Sequence, residues 1–173
     1  DMPLIQSRLT MNRMHGAYEA PDNIDLVHIA RRVFKMRVRP CKLTQLESEI
    51  FNTPREDDLP GSEVPARYFT YIKTREAALL EDIIEHNAQD IVSMARLMYA
   101  LVNLHERPLE AADQRDLYSL GRVFEKRGEG ERAKACFRLC QDIGVRALAQ
   151  LRLSDILRRE GTVREPAAGS EPL

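Results

Sequence analysis

Cysteine is scarce in this chain and badly placed for metal: the three, Cys41, Cys136 and Cys140, form no Cys-x-x-Cys pair and no Cys/His cluster. A metal site built on thiolates is thereby excluded. Cys136 and Cys140 stand one helical turn apart, and all three read as small core residues. An odd count with no secretory apolar segment points to a reducing cytoplasm. Long apolar runs are missing as well, since none approaches the roughly 18 residues that a membrane span requires. No membrane partner is expected. Charge of one sign is also lacking: 26 Lys and Arg stand against 27 Asp and Glu, a formal net charge of -1. Bulk electrostatics therefore does not mark a nucleic-acid binder. What remains, at 173 residues, is room for one ordinary domain or one and a half small ones, with enough apolar content to bury a core.

What the chain does have is His86-Asn87-Ala88-Gln89-Asp90 inside a long apolar segment. Leu79, Leu80, Ile83, Ile84, Ile91, Met94, Ala95, Met98 and Leu101 recur near helical spacing, which predicts a helix from Ala77 to Leu104. His86 and Asp90 then share one face, off the centre of the buried stripe. An imidazole and a carboxylate so placed can hold a divalent ion and a water beside it. Alone, such a pair is usually a solvent-facing or capping pair.

The rest of the first hundred residues reads as helices. They run from Pro3 to about Met14, from His28 to Met36, from Thr44 to Phe51 and from Pro65 to Lys73. Ile24 to Val27 is the one candidate strand, at an edge. Thr44-Gln45-Leu46-Glu47 has the form of a capping box, which makes Glu47 structural. Between Asp25 and Lys42 there are six basic residues, Arg31, Arg32, Lys35, Arg37, Arg39 and Lys42, against one acid. They form a candidate phosphate-contacting stripe, or simply a solvated helix face. Glu56, Asp57 and Asp58 read as a solvated loop before the next helix, and Pro60-Gly61 as a turn.

Five segments, in order, carry a resemblance. They are Asp1-Met2-Pro3-Leu4-Ile5-Gln6-Ser7-Arg8, Ile24 to His28, Cys41 to Glu47, Arg55 to Pro65 with its Asp-Asp-Leu-Pro-Gly core, and His86 to Asp90. Over residues 1 to 104 the chain resembles the C-terminal half of a bacterial ribonuclease H-like domain of the DEDD exonuclease type. The resemblance implies a fold that is mainly α here, the C-terminal helical part of an α/β fold with at most one short strand near 24–27. It implies Asp1 and Asp90 as metal ligands for Mg2+ or Mn2+, two ions in the complete domain, and His86 as the group that orients or deprotonates the attacking water. It also implies nucleic acid as partner, DNA or RNA, and 3'-5' exonuclease-like phosphodiester hydrolysis, with Arg31, Arg32 and Lys35 on phosphates. The family's Asp-x-Glu pair and Asn-x-x-Phe lead-in should lie before residue 1. Two carboxylates of an expected four predict poor affinity for Mg2+, so the chain alone is expected to be an inactive fragment.

Beyond Pro108 the texture changes. Leu117 to Glu129 followed by Ala133-Lys134-Ala135-Cys136-Phe137 resembles a tetratricopeptide helical hairpin, with a Leu-Gly in the first helix and small residues in the second. A plain helical hairpin reads equally well from these residues. The expected organisation is a nuclease-like part over 1–104, a repeat-like segment over 109–161 that leans on it, and a disordered tail over 162–173. The alternative function is a non-catalytic helical module that binds a protein through the repeat-like segment.

Overall fold

A computed structural model of the chain describes residues 2–14, 22–55 and 59–164. Asp1, the acids Glu56, Asp57 and Asp58, and residues 165–173 of the expected tail lie outside the described residues. The described residues form helices α1 (Met2–Met11), α2 (Leu26–Phe34), α3 (Leu43–Phe51), α4 (Val64–Thr74), α5 (Ala78–Glu106), α6 (Gln114–Lys126), α7 (Gly130–Leu139) and α8 (Ile143–Arg164). A single 3-10 turn, Pro108–Glu110, joins α5 to the second half. No strand forms among the described residues, as the mainly α reading expects.

The edge strand expected at 24–27 does not form because Asp25 starts a helix there. Its Oδ1 accepts from the Val27 N–H at 2.9 Å, satisfying a donor that the first turn leaves orphaned. Helix α3 departs from its expected cap too. Its N-cap falls two residues early, at Lys42, with the Gln45 Oε1 accepting from the Lys42 N–H at 3.2 Å, so Thr44 and Glu47 do not build the box. Helix α8 continues to Arg164, three residues into the stretch expected to be tail. Among the described residues, no helix is long and apolar enough to cross a membrane.

One continuous apolar cluster runs through α2, α3, α5, α6, α7 and α8, from Ala30, Val33 and Phe34 to Ala149 and Ile156. Helices α6, α7 and α8 therefore share one core with the helices before them. Helices α6 and α7 form an antiparallel hairpin reversed at Gly128, whose φ of 77° lies in the left-handed region open to glycine. The Leu-Gly of α6 is explained by contact: a Cβ on Gly121 would stand 2.6 Å from Cε1 of the Phe137 ring. Ala133 and Cys136, both fully buried, supply the small surface on α7. All three cysteines are buried and free, and burial pushes the Cys136 and Cys140 thiols up to about 11. They are packing residues, as their spacing indicates.

Polar groups also tie the halves together. Arg37, expected in the basic stripe, instead turns inward and places Nη2 2.7 Å from Oδ2 of Asp116 on α6. Burial outweighs that cation and pushes the Asp116 carboxyl up to about 6. Arg132 of α7 donates to the His105 carbonyl at the end of α5, and its guanidinium lies 3.9 Å from the centroid of the Phe124 ring.

Candidate functional site

The site is assembled from three pieces of chain: the C-terminal half of α3, the segment just after it, and the first half of α5. Helix α3 stops at Asn52, which takes the left-handed conformation (φ 52°) that Asn tolerates better than most residues. The chain then doubles back, with the Thr53 N–H donating to the Glu47 carbonyl at 3.0 Å. On the facing side, Arg96 of α5 donates to the Thr53 hydroxyl at 3.3 Å and lies over the Phe51 ring, 5.1 Å from its centroid. These contacts deliver Arg55 to α5.

The Arg55 side chain is only 4% exposed and, among the described residues, sits between two carboxylates. Its Nε and Nη2 donate to the two oxygens of Glu47 at 2.6 and 2.7 Å, a bidentate fork that fits a planar carboxylate. Nη2 also reaches Oδ1 of Asp90 at 2.6 Å. Nη1 stands 3.5 Å from Nδ1 of His86. The other ring nitrogen of His86, Nε2, lies 3.7 Å from Oδ2 of Asp90. Asp90 is the most open member, 36% exposed, while Glu47 is 2% exposed. One buried cation thus anchors to one buried carboxylate and holds a second at the surface.

The structure brings together His86 and Asp90 as the helical spacing requires. It adds Glu47, which the sequence pattern assigns to a helix cap, and Arg55, to which the pattern assigns no role. Glu47 carried a signal: it falls on the same face of α3 as Leu43, Leu46 and Ile50, and a charge on an apolar stripe needs a buried partner. Arg55 carried none, because its partners are set by a chain reversal and not by periodicity. Arg31, Arg32 and Lys35 are exposed on and just after α2, with no ion pair to any of them among the described residues. They do not join the His86–Asp90 cluster. Arg32 and Lys35 face the end of α5 near Met98, about 12 Å along the helix axis from Asp90 at 1.5 Å per residue.

Whether these residues could hold the ion that the resemblance implies is decided by the donor set. Among the described residues, no group of three His, Cys, Asp or Glu side chains stands close enough to hold a metal. Asp90 offers Oδ2, its other oxygen being held by a guanidinium that would repel a cation. The described residues alone do not make an ion site, and Asp1 lies outside them.

A family model described as RNase_H superfamily matches residues 1–102. The chain is 33% identical over 99 residues to the uncharacterized protein YprB of Bacillus subtilis (strain 168), an overlap covering 56% of this chain and 24% of YprB. It therefore spans about a quarter of the length of that curated relative. No solved structure matches. With the family match covering more than half of the residues and ending within the helix that carries His86 and Asp90, the chain belongs to the RNase H superfamily.

Proposed function

We propose that the chain is the C-terminal helical part of a metal-dependent nuclease domain that hydrolyses phosphodiesters from a strand end, in the manner of a 3'-5' exonuclease. The observation that carries this reading is the half-exposed Asp90 carboxylate, fixed beside His86 on a rigid helix within the stretch matched to the family. Asp90 and Asp1 are the ligands this chain would contribute to Mg2+ or Mn2+, and further carboxylates must come from elsewhere in the domain. Arg31, Arg32 and Lys35, exposed and unpaired among the described residues, suit phosphate contacts along the strand.

A second feature of α5 supports an incomplete domain. Ile84, Ala88, Ile91, Ala95, Met98 and Val102 recur at alternating steps of four and three residues, and all are exposed. Ile84 and Ile91 are each 64% exposed. A continuous apolar seam of this length marks a packing surface, and the strands expected before residue 1 are what it would pack against. The chain alone is accordingly read as inactive.

The test is Asp90→Asn in the protein made from the complete reading frame. The expected result is loss of Mg2+- or Mn2+-dependent cleavage of DNA or RNA, with the melting temperature unchanged. Equal cleavage by the two proteins overturns the assignment of Asp90. Binding should weaken as salt rises, in proportion to the number of phosphates contacted.

One observation favours the alternative of a protein-binding module. A groove of about 870 Å³ lies between α2, α5 and α6, floored by Ile29, Met98, Leu101 and Val123, with Arg32, Lys35 and Lys126 among its lining. An amphipathic helix with acidic flanks would match both floor and rim. Retention of such a peptide by the wild type and its release by Met98→Asp would support this reading.

A further inference from the structure

The described site converges on Arg55. A guanidinium has only donors and keeps its charge inside proteins. The His86 nitrogen that faces it, Nδ1 at 3.5 Å, must therefore be the one without a proton. In a neutral imidazole the proton then sits on Nε2, the nitrogen turned to Asp90 Oδ2 at 3.7 Å. The same guanidinium grips Asp90 by Oδ1 at 2.6 Å, which fixes the side-chain rotamer and leaves Oδ2 beside His86. Glu47 keeps the guanidinium in place from behind, through two bonds of 2.6 and 2.7 Å in a nearly dry environment.

We propose that Arg55 is the positioning residue of this site, setting the rotamer of Asp90 and the tautomer of His86 together, with Glu47 as its anchor. His86 then presents an N–H toward the Asp90 side. In the resting site it orients a water or phosphate oxygen by donating a hydrogen bond, and it does not take a proton through that nitrogen. This narrows the two roles that the family resemblance leaves open for His86. The inference rests on the nuclease reading only for its kinetic consequence, because rotamer and tautomer belong to the folded chain whatever it acts on.

Two variants separate positioning from folding. Arg55→Lys keeps a cation but loses the planar fork. The double change Glu47→Gln with Arg55→Met removes both buried charges at similar volume, a kind of replacement that proteins often accept without loss of stability. Side-chain 15N and three-bond coupling measurements on the 173-residue chain, above the usual histidine range, read His86 and Asp90 directly. The wild type should show one His86 tautomer, protonated at Nε2, and one Asp90 rotamer. The folded variants should show mixtures of both. In the complete protein, kcat should fall about 10- to 100-fold, the range for partners that orient a ligand, with KM changed little. A single Asp90 rotamer and a single His86 tautomer persisting in the folded double variant would overturn the proposal. If the complete wild-type protein cleaves no nucleic acid, the nuclease reading fails while the NMR result still decides the role of Arg55.

Discussion

Helix α5 runs for 29 residues and buries four of them, Ile83, Ser93, Leu97 and Leu101. Helix α6 runs for 13 and buries seven, Asp116, Leu117, Tyr118, Ser119, Leu120, Gly121 and Phe124. Both belong to one apolar cluster, yet they stand in it differently. Helix α6 is wrapped by α2, α7 and α8, so its sequence must satisfy contact on nearly every side. Helix α5 packs through one stripe and leaves an apolar seam open, and near its N-terminal end it carries the polar cluster. The difference separates two demands on a helix. Burial all round constrains side-chain volume, whereas a half-bare helix can carry chemistry and a docking face at once.

The sharpest way to break the comparison is a matched pair of truncations. Phe124→Ala, at a fully buried position, should cost about 3–5 kcal/mol by lost transfer energy and cavity formation. Ile91→Ala, on the open seam, should stay within about 0.5 kcal/mol. Urea unfolding measures both, and a large loss at Ile91 would show that the seam is already covered in solution by another copy. Next in size is Gly121→Ala. The new methyl meets the buried Phe137 ring at 2.6 Å, and forcing the ring aside should cost about 1–3 kcal/mol, seen as a lower urea midpoint at unchanged slope. If that variant is more stable, the helical advantage of alanine has won and the close approach yields readily.

A subtler contrast is electrostatic. Asp116 sits buried between α6 and α2, its carboxyl raised to about 6 from an ordinary value of 3.8. A raised carboxyl favours the protonated folded state. Its contribution to stability is therefore complete below the ordinary value and is lost as pH rises through about 6. Between these limits the wild type should lose stability relative to Asp116→Asn, which has no proton to release. Thermal melts across that window check the sign, and a difference that does not vary with pH would mean that Arg37 fully offsets the burial.

Much of this architecture is legible in the residues. The apolar spacing of Leu79 to Leu101 marks α5 almost to its ends, although of the nine residues expected in its buried stripe only Ile83 and Leu101 are buried, and the i, i+4 relation places His86 with Asp90. The Leu-Gly of α6 and the small residues of α7 announce a close helical hairpin. Three readings go astray, for two reasons. Glu47 looks like a cap and is an ion-pair anchor; Arg37 looks like part of a phosphate stripe and is a partner of Asp116; Ile24 to Val27 looks like an edge strand and precedes a helix capped by Asp25. In the first two, a local pattern competes with a partner outside it: Glu47 meets Arg55 past a chain reversal, and Arg37 meets Asp116 on another helix. In the third, an Asx cap outcompetes a short β-prone run that has no neighbour to pair with.

The sequence by itself determined where most of the helices lie and that an imidazole and a carboxylate stand one turn apart, because those properties follow from spacing along a regular backbone. Only the tertiary structure decided that a single buried guanidinium joins Glu47, His86 and Asp90, and that α5 is left half bare. Which charges are desolvated together depends on how separate segments meet, and no periodicity within one segment encodes that meeting.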